Sequence, residues 1–142
     1  MQDIKSLLPH REPFLFVDRL DKADENEIVG YRAFSPDEFF FKGHFPEYPV
    51  VPGVILLEAM MQCGGAGVAA SGLLGDALFF FASADKVKMR TQVRPNDEVK
   101  LVVTNVKVSK IAIKQAGKAY VGDKLAAEAE WLCMVSAKDK LQ

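Results

Sequence analysis

A histidine and a glutamate fourteen residues apart are of types that can move protons. His44 lies in the segment GHFPEYPVVPG, and Glu58 lies in the apolar run VILLEAMMQ that follows it. A carboxyl group among apolar side chains is either paired or kept protonated by desolvation. A buried acid beside a histidine suits general acid–base catalysis. We therefore take His44 and Glu58 as candidate catalytic residues; the alternative is a loop histidine that caps the backbone and a glutamate that faces solvent.

The apolar run from Val54 to Ala70 must position the glutamate. It is apolar around nearly its whole circumference, which predicts a helix enclosed by protein. Its polar exceptions, Glu58 and Gln62, are four residues apart and therefore share one helix face. Glycines late in the run predict either close packing or a helix that loosens towards its end at Gly72.

Segments rich in β-branched and aromatic residues flank this helix. We predict a short helix over 4–8 and strands over 14–20, 27–34, 78–82 (extending towards 90), 99–108, 111–121 and 124–137. The short turns Ser109-Lys110 and Gly122-Asp123 indicate antiparallel neighbours. One buried helix with five or six antiparallel strands predicts an α+β domain in which the sheet curls around the helix. A length of 142 residues fits a single domain, 1–142.

Charge and composition argue against several classes of protein. The 18 basic and 19 acidic residues leave a net charge of −1, which does not favour nucleic-acid binding. The two cysteines lie in apolar surroundings without a disulfide framework, which favours a reducing cytoplasm. We find no secretory signal at the N-terminus. Since the run 54–70 is short and contains Glu58, a buried helix is the better interpretation than a membrane span.

Three further motifs favour structural interpretations. The segment GGAGVAA, residues 64–70, loosely matches a dinucleotide-binding fingerprint, but it lies late in a helix rather than between a strand and a helix. Three prolines between 46 and 52 fit a rigid loop leading into the helix better than a polyproline II ligand. The histidines, cysteines and Glu58 lack the spacing of metal ligands, and Cys63 should be an inert thiol. We therefore expect neither a metal nor a cofactor.

The segment GHFPEYPVVPGVILLEAMMQ resembles the signature of the β-hydroxyacyl-[acyl carrier protein] dehydratases of bacterial fatty acid synthesis. That signature is His-Phe-Pro, then Pro-x-x-Pro-Gly-Val, then Glu-Ala-x-x-Gln. The segments LLPHREPFLFVDRL (7–20) and FFFASADKVKMRTQVRPNDEV (79–99) resemble two further motifs of the family, so the resemblance extends from Ile4 to Ala137. Glu12, Glu47 and Asn96 depart from the residues usual at their positions, and none of them belongs to the acid–base pair.

The resemblance implies a hotdog fold, which is an antiparallel sheet wrapped around one long central helix. It also implies a homodimer, often assembled further into a trimer of dimers, with each site taking His44 from one subunit and Glu58 from the other. The implied reaction removes water from a (3R)-hydroxyacyl thioester to give a trans-2-enoyl thioester. In that reaction His44 takes the C2 proton and Glu58 protonates the departing hydroxyl.

Further roles follow from this mechanism. The N–H of Gly53, at the positive helix start, would stabilise the oxyanion, and Gln62 would orient the pair or a water molecule. An acidic acyl carrier protein would present the substrate on phosphopantetheine. It would dock on a basic patch: Lys86, Lys88, Arg90 and Arg94. The runs Phe39–Phe41 and Phe79–Phe81 could line an acyl tunnel, although most of their members should belong to the core.

Other functions are compatible with the same predicted fold. An acyl thioesterase would activate water with an acid and would not need the histidine loop. An enoyl-CoA hydratase would run related chemistry on a different carrier. An isomerising dehydratase is less favoured, because those relatives typically carry Asp where this chain has Glu58. A non-catalytic subunit that binds acyl carrier protein is the third class, and retention of both His44 and Glu58 argues against it.

Overall fold

The computed structural model describes residues 3–137, so the two ends of the predicted domain 1–142 lie outside the described residues. The elements in order are α1 (Ile4–Leu7), β1 (Arg19–Ala23), β2 (Glu27–Ala33), a 3₁₀ turn (Phe39–Lys42), α2 (Gly53–Ser71), β3 (Ala77–Met89), β4 (Glu98–Val108), β5 (Ala112–Val121) and β6 (Lys124–Ala137).

The strands form one antiparallel sheet in the order β1-β2-β4-β5-β6-β3. The predicted meander is present in β4-β5-β6, where a two-residue turn at Gly122 (φ 61°) joins β5 to β6. The meander does not extend to the whole sheet, because β2 pairs with β4 and β3 pairs with β6. The long segment from β2 through α2 carries the chain to the opposite edge, where β3 lies.

The apolar helix α2 packs against the sheet, with its central residues fully buried, and contacts β1, β2, β4, β5 and β6. The predicted α+β class and hotdog fold are thereby confirmed. By length and composition α2 could also cross a membrane, but most of it is buried inside the protein, as expected for a core helix.

The glycines of α2 allow close contact with the sheet. A Cβ atom on Gly67 would collide with the side chain of Ile28, and one on Gly64 would collide with Gln115. The helix continues past these glycines to Ser71 and ends at Gly72 in the left-handed conformation (φ 73°). Of the two expectations for this region, close packing is therefore the correct one.

The predicted strand over 14–20 is wrong, because β1 begins only at Arg19. The carbonyl oxygen of Phe14 and the N–H of Phe16 bond to the side chain of Gln62 on α2 rather than to a strand. An amide side chain offers the same donor and acceptor as a peptide group. It therefore replaces a strand partner at this point, which alternation of apolar residues in the sequence cannot reveal.

Candidate active site

Glu58 lines a pocket between the N-terminal segment, α2 and one end of the sheet. Its walls include His10, Phe79, Phe81 and Cys133, contributed by the N-terminal segment, β3 and β6. The Glu58 side chain retains 22% of its exposure, so the carboxyl group is accessible from the pocket but largely desolvated. The glutamate predicted from the sequence thus faces a pocket rather than open solvent.

Desolvation sets the charge of this carboxyl group. Burial raises the pKa of Glu58, and a hydrogen bond from Gln62 partly opposes the rise because it stabilises the carboxylate. The carboxyl group therefore keeps its proton to a higher pH than an exposed glutamate. This is the property required of a general acid near neutral pH.

Gln62 holds the carboxyl group in a fixed orientation. Its Nε2 donates to Oε2 of Glu58 at 2.8 Å and to the carbonyl oxygen of Phe14 at 3.0 Å. Its Oε1 accepts the backbone N–H of Phe16 at 2.7 Å. Because Phe16 N–H must meet an oxygen, the amide cannot flip, and an N–H is directed at Glu58. Gln62 is itself buried, with 2% exposure, which favours retention of all three bonds.

His44 lies in the loop between the 3₁₀ turn and α2. Its Nδ1 is 3.2 Å from the carbonyl oxygen of Val50, and its ring stacks on Phe45 at a centroid distance of 4.2 Å. A carbonyl oxygen only accepts, so the proton of the neutral ring belongs on Nδ1. Nε2 then carries a free lone pair, and the ring has the tautomer that a general base needs.

Gly53 is the first residue of α2, preceded by Pro52. The carbonyl oxygen of Pro52 accepts the N–H groups of Ile55 and Leu56, whereas the N–H of a first helical residue has no partner inside its helix. Gly53 lines a second hollow together with Met89, separate from the pocket that contains Glu58. Gly53 therefore lies at the start of α2, as predicted from the sequence.

The structure of one chain does not bring all predicted site residues together. Glu58 and Gln62 share a pocket, and neither His44 nor Gly53 is among the described residues that line it. The prediction that each site takes His44 from one subunit and Glu58 from another stays a prediction.

The residues of the predicted docking patch differ in their surroundings. Lys86 forms an ion pair with Glu130 at 3.2 Å, and Arg90 forms one with Glu128 at 2.9 Å. The guanidinium group of Arg94 lies 4.0 Å from the centre of an aromatic ring, that of Tyr48. Lys88 is exposed. Lys86, Arg90 and Arg94 would have to give up these contacts in order to bind a docking partner. For Lys88 this cost is smaller.

The members of the two aromatic runs, Phe39–Phe41 and Phe79–Phe81, differ in their burial. Phe40 and Phe41 belong to the core, but Phe39, Phe80 and Phe81 are about half exposed, so the expectation that most members of the two runs are core residues is wrong. In the second run Phe79 and Phe81 line the Glu58 pocket. These two side chains, together with Met61, give the pocket an apolar wall suited to a hydrocarbon chain.

Two titratable residues of the pocket were missed by sequence reasoning. His10 Nε2 lies 3.7 Å from Oε2 of Glu58, and Cys133 lines the same pocket. The sequence feature that could have pointed to His10 was its position in the segment LLPHREP. The sequence pattern does not indicate, however, that this segment lies near Glu58. Burial and the Glu58 charge raise the pKa of Cys133 to about 11, and burial raises that of Cys63 to about 12, as expected for inert thiols.

Known proteins resemble this chain along most of its length. The family model described as FabA-like domain matches residues 8–130. A protein of Clostridium kluyveri named 3-hydroxyacyl-[acyl-carrier-protein] dehydratase FabZ is 39% identical over 140 residues, covering 98% of this chain and 97% of that protein. The protein of the same name from Pelotomaculum thermopropionicum is 43% identical over 136 residues, covering 95% and 97%.

The fold is also found in solved structures. The dehydratase heterocomplex ApeI:P of Xenorhabdus doucetiae superposes with a TM-score of 0.84 at 13% identity, covering 99% of this chain and 95% of the other. At that identity the likeness concerns the fold. The family match and the two near-complete sequence matches confirm the resemblance noted in the sequence, and this chain belongs to the FabA-like domain family, together with the FabZ dehydratases.

Proposed function

We propose that this protein removes water from a (3R)-hydroxyacyl thioester on acyl carrier protein and so forms a trans-2-enoyl thioester for fatty acid synthesis. The observation that carries the proposal is the half-buried Glu58 carboxyl group, whose pKa is raised by burial and whose orientation is fixed by Gln62. The membership of the family and its near-complete coverage by proteins named as FabZ dehydratases support it.

Glu58 acts as the acid. As the C3–O bond breaks, the bonding electrons leave with the hydroxyl oxygen, and Glu58 transfers its proton to that oxygen so that water departs. An alcohol oxygen is a poor leaving group unless it is protonated, so a carboxyl group whose pKa is raised by burial is suited to supply the proton that the step requires. The apolar pocket wall strengthens this transfer by excluding water.

His44 acts as the base. Its Nε2 takes the C2 proton, and the electrons of that C–H bond form the new double bond as the hydroxyl departs. The Nδ1–H directed at the Val50 carbonyl oxygen keeps Nε2 available for this task. Negative charge that develops on the thioester oxygen during proton removal is met by the N–H of Gly53 at the start of α2.

Two subunits form each site. Within one chain His44 is not among the described residues that line the Glu58 pocket, and the proposal takes the base from a second copy. Two features support such a dimer. The thirteen-residue β3 lies at the edge of the sheet and exposes Phe80, Phe81 and Met89, which favours pairing with another strand. Phe45 and Tyr48 near His44, and Val54 on α2, are also exposed, as expected for a surface that a partner covers.

The partner that delivers the substrate is an acyl carrier protein with a phosphopantetheine-linked chain. Its acidic surface meets the patch of Lys86, Lys88, Arg90 and Arg94, with Lys88 as the most available cation. The protein works in the cytoplasm as a homodimer or a trimer of dimers. The chemistry requires no cofactor, because both proton transfers use side chains.

Product analysis by mass spectrometry tests the reaction. The purified protein is given a (3R)-hydroxyacyl thioester on acyl carrier protein and, separately, on coenzyme A. Loss of one water from the acyl group, abolished in His44→Ala, is the expected result. Release of a free acid and a free thiol would instead identify a thioesterase, and turnover of the coenzyme A substrate alone would identify a hydratase. No change on either carrier would favour a non-catalytic binding subunit.

A further inference from the structure

A second histidine lies beside the acid of the pocket. His10 belongs to the N-terminal segment that covers the pocket, and its Nε2 is 3.7 Å from Oε2 of Glu58. Its side chain keeps 30% of its exposure, so the ring is partly enclosed rather than free in solvent. The mechanism above gives this residue no task.

The environment of the ring indicates which nitrogen carries the proton. Burial lowers the pKa of His10, so the ring is neutral near pH 7 and has one N–H. Nδ1 is buried without a hydrogen-bond partner among the residues described. A buried N–H without a partner is rarer in proteins than an acceptor that is left unpaired. The proton therefore belongs on Nε2, the nitrogen that faces Glu58.

The main chain at His10 is held in place by Arg11. The guanidinium group donates from Nη1 to the carbonyl oxygens of Leu8 at 2.9 Å and His10 at 2.6 Å, and from Nη2 to that of Lys5 at 3.1 Å. These bonds fasten the segment that follows α1 across the pocket. The position of the imidazole ring is thus set by backbone contacts as well as by its own packing.

We propose that His10 is a positioning residue for Glu58: its Nε2–H joins the Gln62 amide in donating to Oε2, so the transferable proton of Glu58 resides on Oε1. This assignment rests on the proposed function, in which Glu58 is the acid. Both observed contacts of the carboxyl group with described residues go to Oε2. At 3.7 Å the contact is longer than a hydrogen bond, so in the free protein the N–H dipole acts on Oε2 across a short gap. The proposal includes that this contact shortens when substrate fills the pocket, as catalytic hydrogen bonds commonly do.

Other groups that face Glu58 do not substitute for His10. The wall contributed by β3 is apolar, with Phe79 and Phe81. The amide of Gln115 on β5 donates to the carbonyl oxygen of Gly64 and to Oδ1 of Asn105. Cys133 on β6 is titratable, but its pKa of about 11 keeps the thiol neutral at pH 7. Besides the Gln62 bond, His10 is therefore the polar contact through which the described part of this chain acts on the carboxyl group.

The inference has a measurable consequence. An N–H directed at Oε2 stabilises the carboxylate and opposes the effect of burial. Without it, Glu58 keeps its proton to a higher pH, and the carboxyl group is held by Gln62 alone. The rate of proton transfer falls because Oε1 is no longer aligned, whereas the affinity for the acyl chain, which depends on the apolar wall, does not change.

Carbon-13 NMR of carboxyl-labelled glutamate tests the inference on the assembled protein, with the Glu58 signal assigned by its loss in Glu58→Gln. His10→Phe keeps the ring shape without the donor, and His10→Gln restores an N–H near the position of Nε2. The expected result is a Glu58 titration midpoint raised in His10→Phe and returned towards the wild-type value in His10→Gln. Equal midpoints in all three proteins, or His10→Gln behaving like His10→Phe, would overturn the proposal.

Steady-state kinetics provide the second readout. His10→Phe should lower kcat about tenfold with KM unchanged, as expected for loss of one hydrogen bond in the transition state, and His10→Gln should recover much of it. Glu12→Gln, an exposed change in the same segment, is the matched control and should retain kcat. If His10→Phe raises the Glu58 titration midpoint but the wild-type protein shows no dehydratase turnover, the proposed function is wrong while the His10–Glu58 contact stands. Failure of the proposed function and failure of this inference are therefore distinguishable.

Discussion

Gln62 Nε2 donates to Oε2 of Glu58 at 2.8 Å, across one turn of the same helix. The other bonds of this amide go to the backbone of Phe14 and Phe16, in a segment distant in sequence. One side chain therefore orients the acid and anchors the segment that leads into the sheet. Changes at Gln62 should affect stability and catalysis together, whereas changes at Glu58 should affect mainly catalysis.

Gln62→Met should lower the free energy of unfolding by roughly 1–3 kcal/mol and also slow turnover. The change keeps the volume but leaves the backbone groups of Phe14 and Phe16 without partners. Urea denaturation measures the first effect. The matched control is Gln92→Met, because Gln92 is exposed and makes one bond, to Tyr48; its cost should stay within about 0.5 kcal/mol. Equal losses of unfolding free energy in Gln62→Met and Gln92→Met would show that the buried hydrogen bonds of Gln62 do not stabilise the fold.

Mixing two inactive variants should restore activity if the site is shared. His44→Ala and Glu58→Gln should each lower kcat by about 10²–10⁴-fold, as expected for loss of a general base or acid. After subunit exchange, a mixed dimer has one site with both original groups. Mixing His44→Ala with the double variant creates no such site and serves as the control. Demonstrated exchange without recovery would contradict a site built from two chains.

The stability of the protein should depend on pH through Glu58. Because burial raises the pKa of Glu58, the folded protein keeps this proton over a range where the unfolded chain, with a pKa near 4.5, has lost it. The stabilisation is complete below that value and is lost as pH rises through the raised pKa. Relative to Glu58→Gln, which does not titrate, the wild-type protein should therefore become less stable across this window. Chemical denaturation at a series of pH values measures the unfolding free energy of both proteins. If the carboxyl group were not desolvated, the plots of this free energy against pH for the wild-type protein and Glu58→Gln would be parallel.

Gly67→Ala should destabilise the fold by roughly 1–3 kcal/mol, although alanine favours a helix more than glycine does. The added Cβ would collide with the Ile28 side chain, which is fully buried on β2. Thermal unfolding compares it with Gly43→Ala, where an added Cβ meets no atom within 4 Å. A Gly67→Ala protein as stable as Gly43→Ala would show that α2 and the sheet are less closely packed than described.

Charge reversal at Lys88 tests the docking patch. Lys88→Glu should raise KM for a substrate on acyl carrier protein roughly tenfold, since it places a like charge against an acidic partner. It should leave KM for the same acyl group on coenzyme A unchanged. Lys107→Glu is the control, because Lys107 is an exposed cation on β4, outside the patch. Equal effects of the two reversals, or an equal effect on both carriers, would remove Lys88 from the docking surface.

The local elements of this protein followed from its sequence. The apolar run with Glu58 and Gln62 four residues apart predicted a buried helix with both polar side chains on one face, because side-chain direction repeats along a helix. Strict alternation predicted β6 with its bounds, and short turns predicted the antiparallel neighbours of β5. The motif around His44 and Glu58 identified the family.

Only the tertiary structure decided how distant segments meet. It placed β3 at the sheet edge, bonded Phe14 and Phe16 to Gln62 instead of a strand, and brought His10 next to Glu58. Periodicity reports where a side chain points relative to its own backbone. It carries no information on which distant group satisfies a buried polar atom, since that depends on how the whole chain packs. For the same reason the sequence pattern identified His44 and Glu58 as candidates. It could not show that, within one chain, His44 is absent from the lining of the Glu58 pocket.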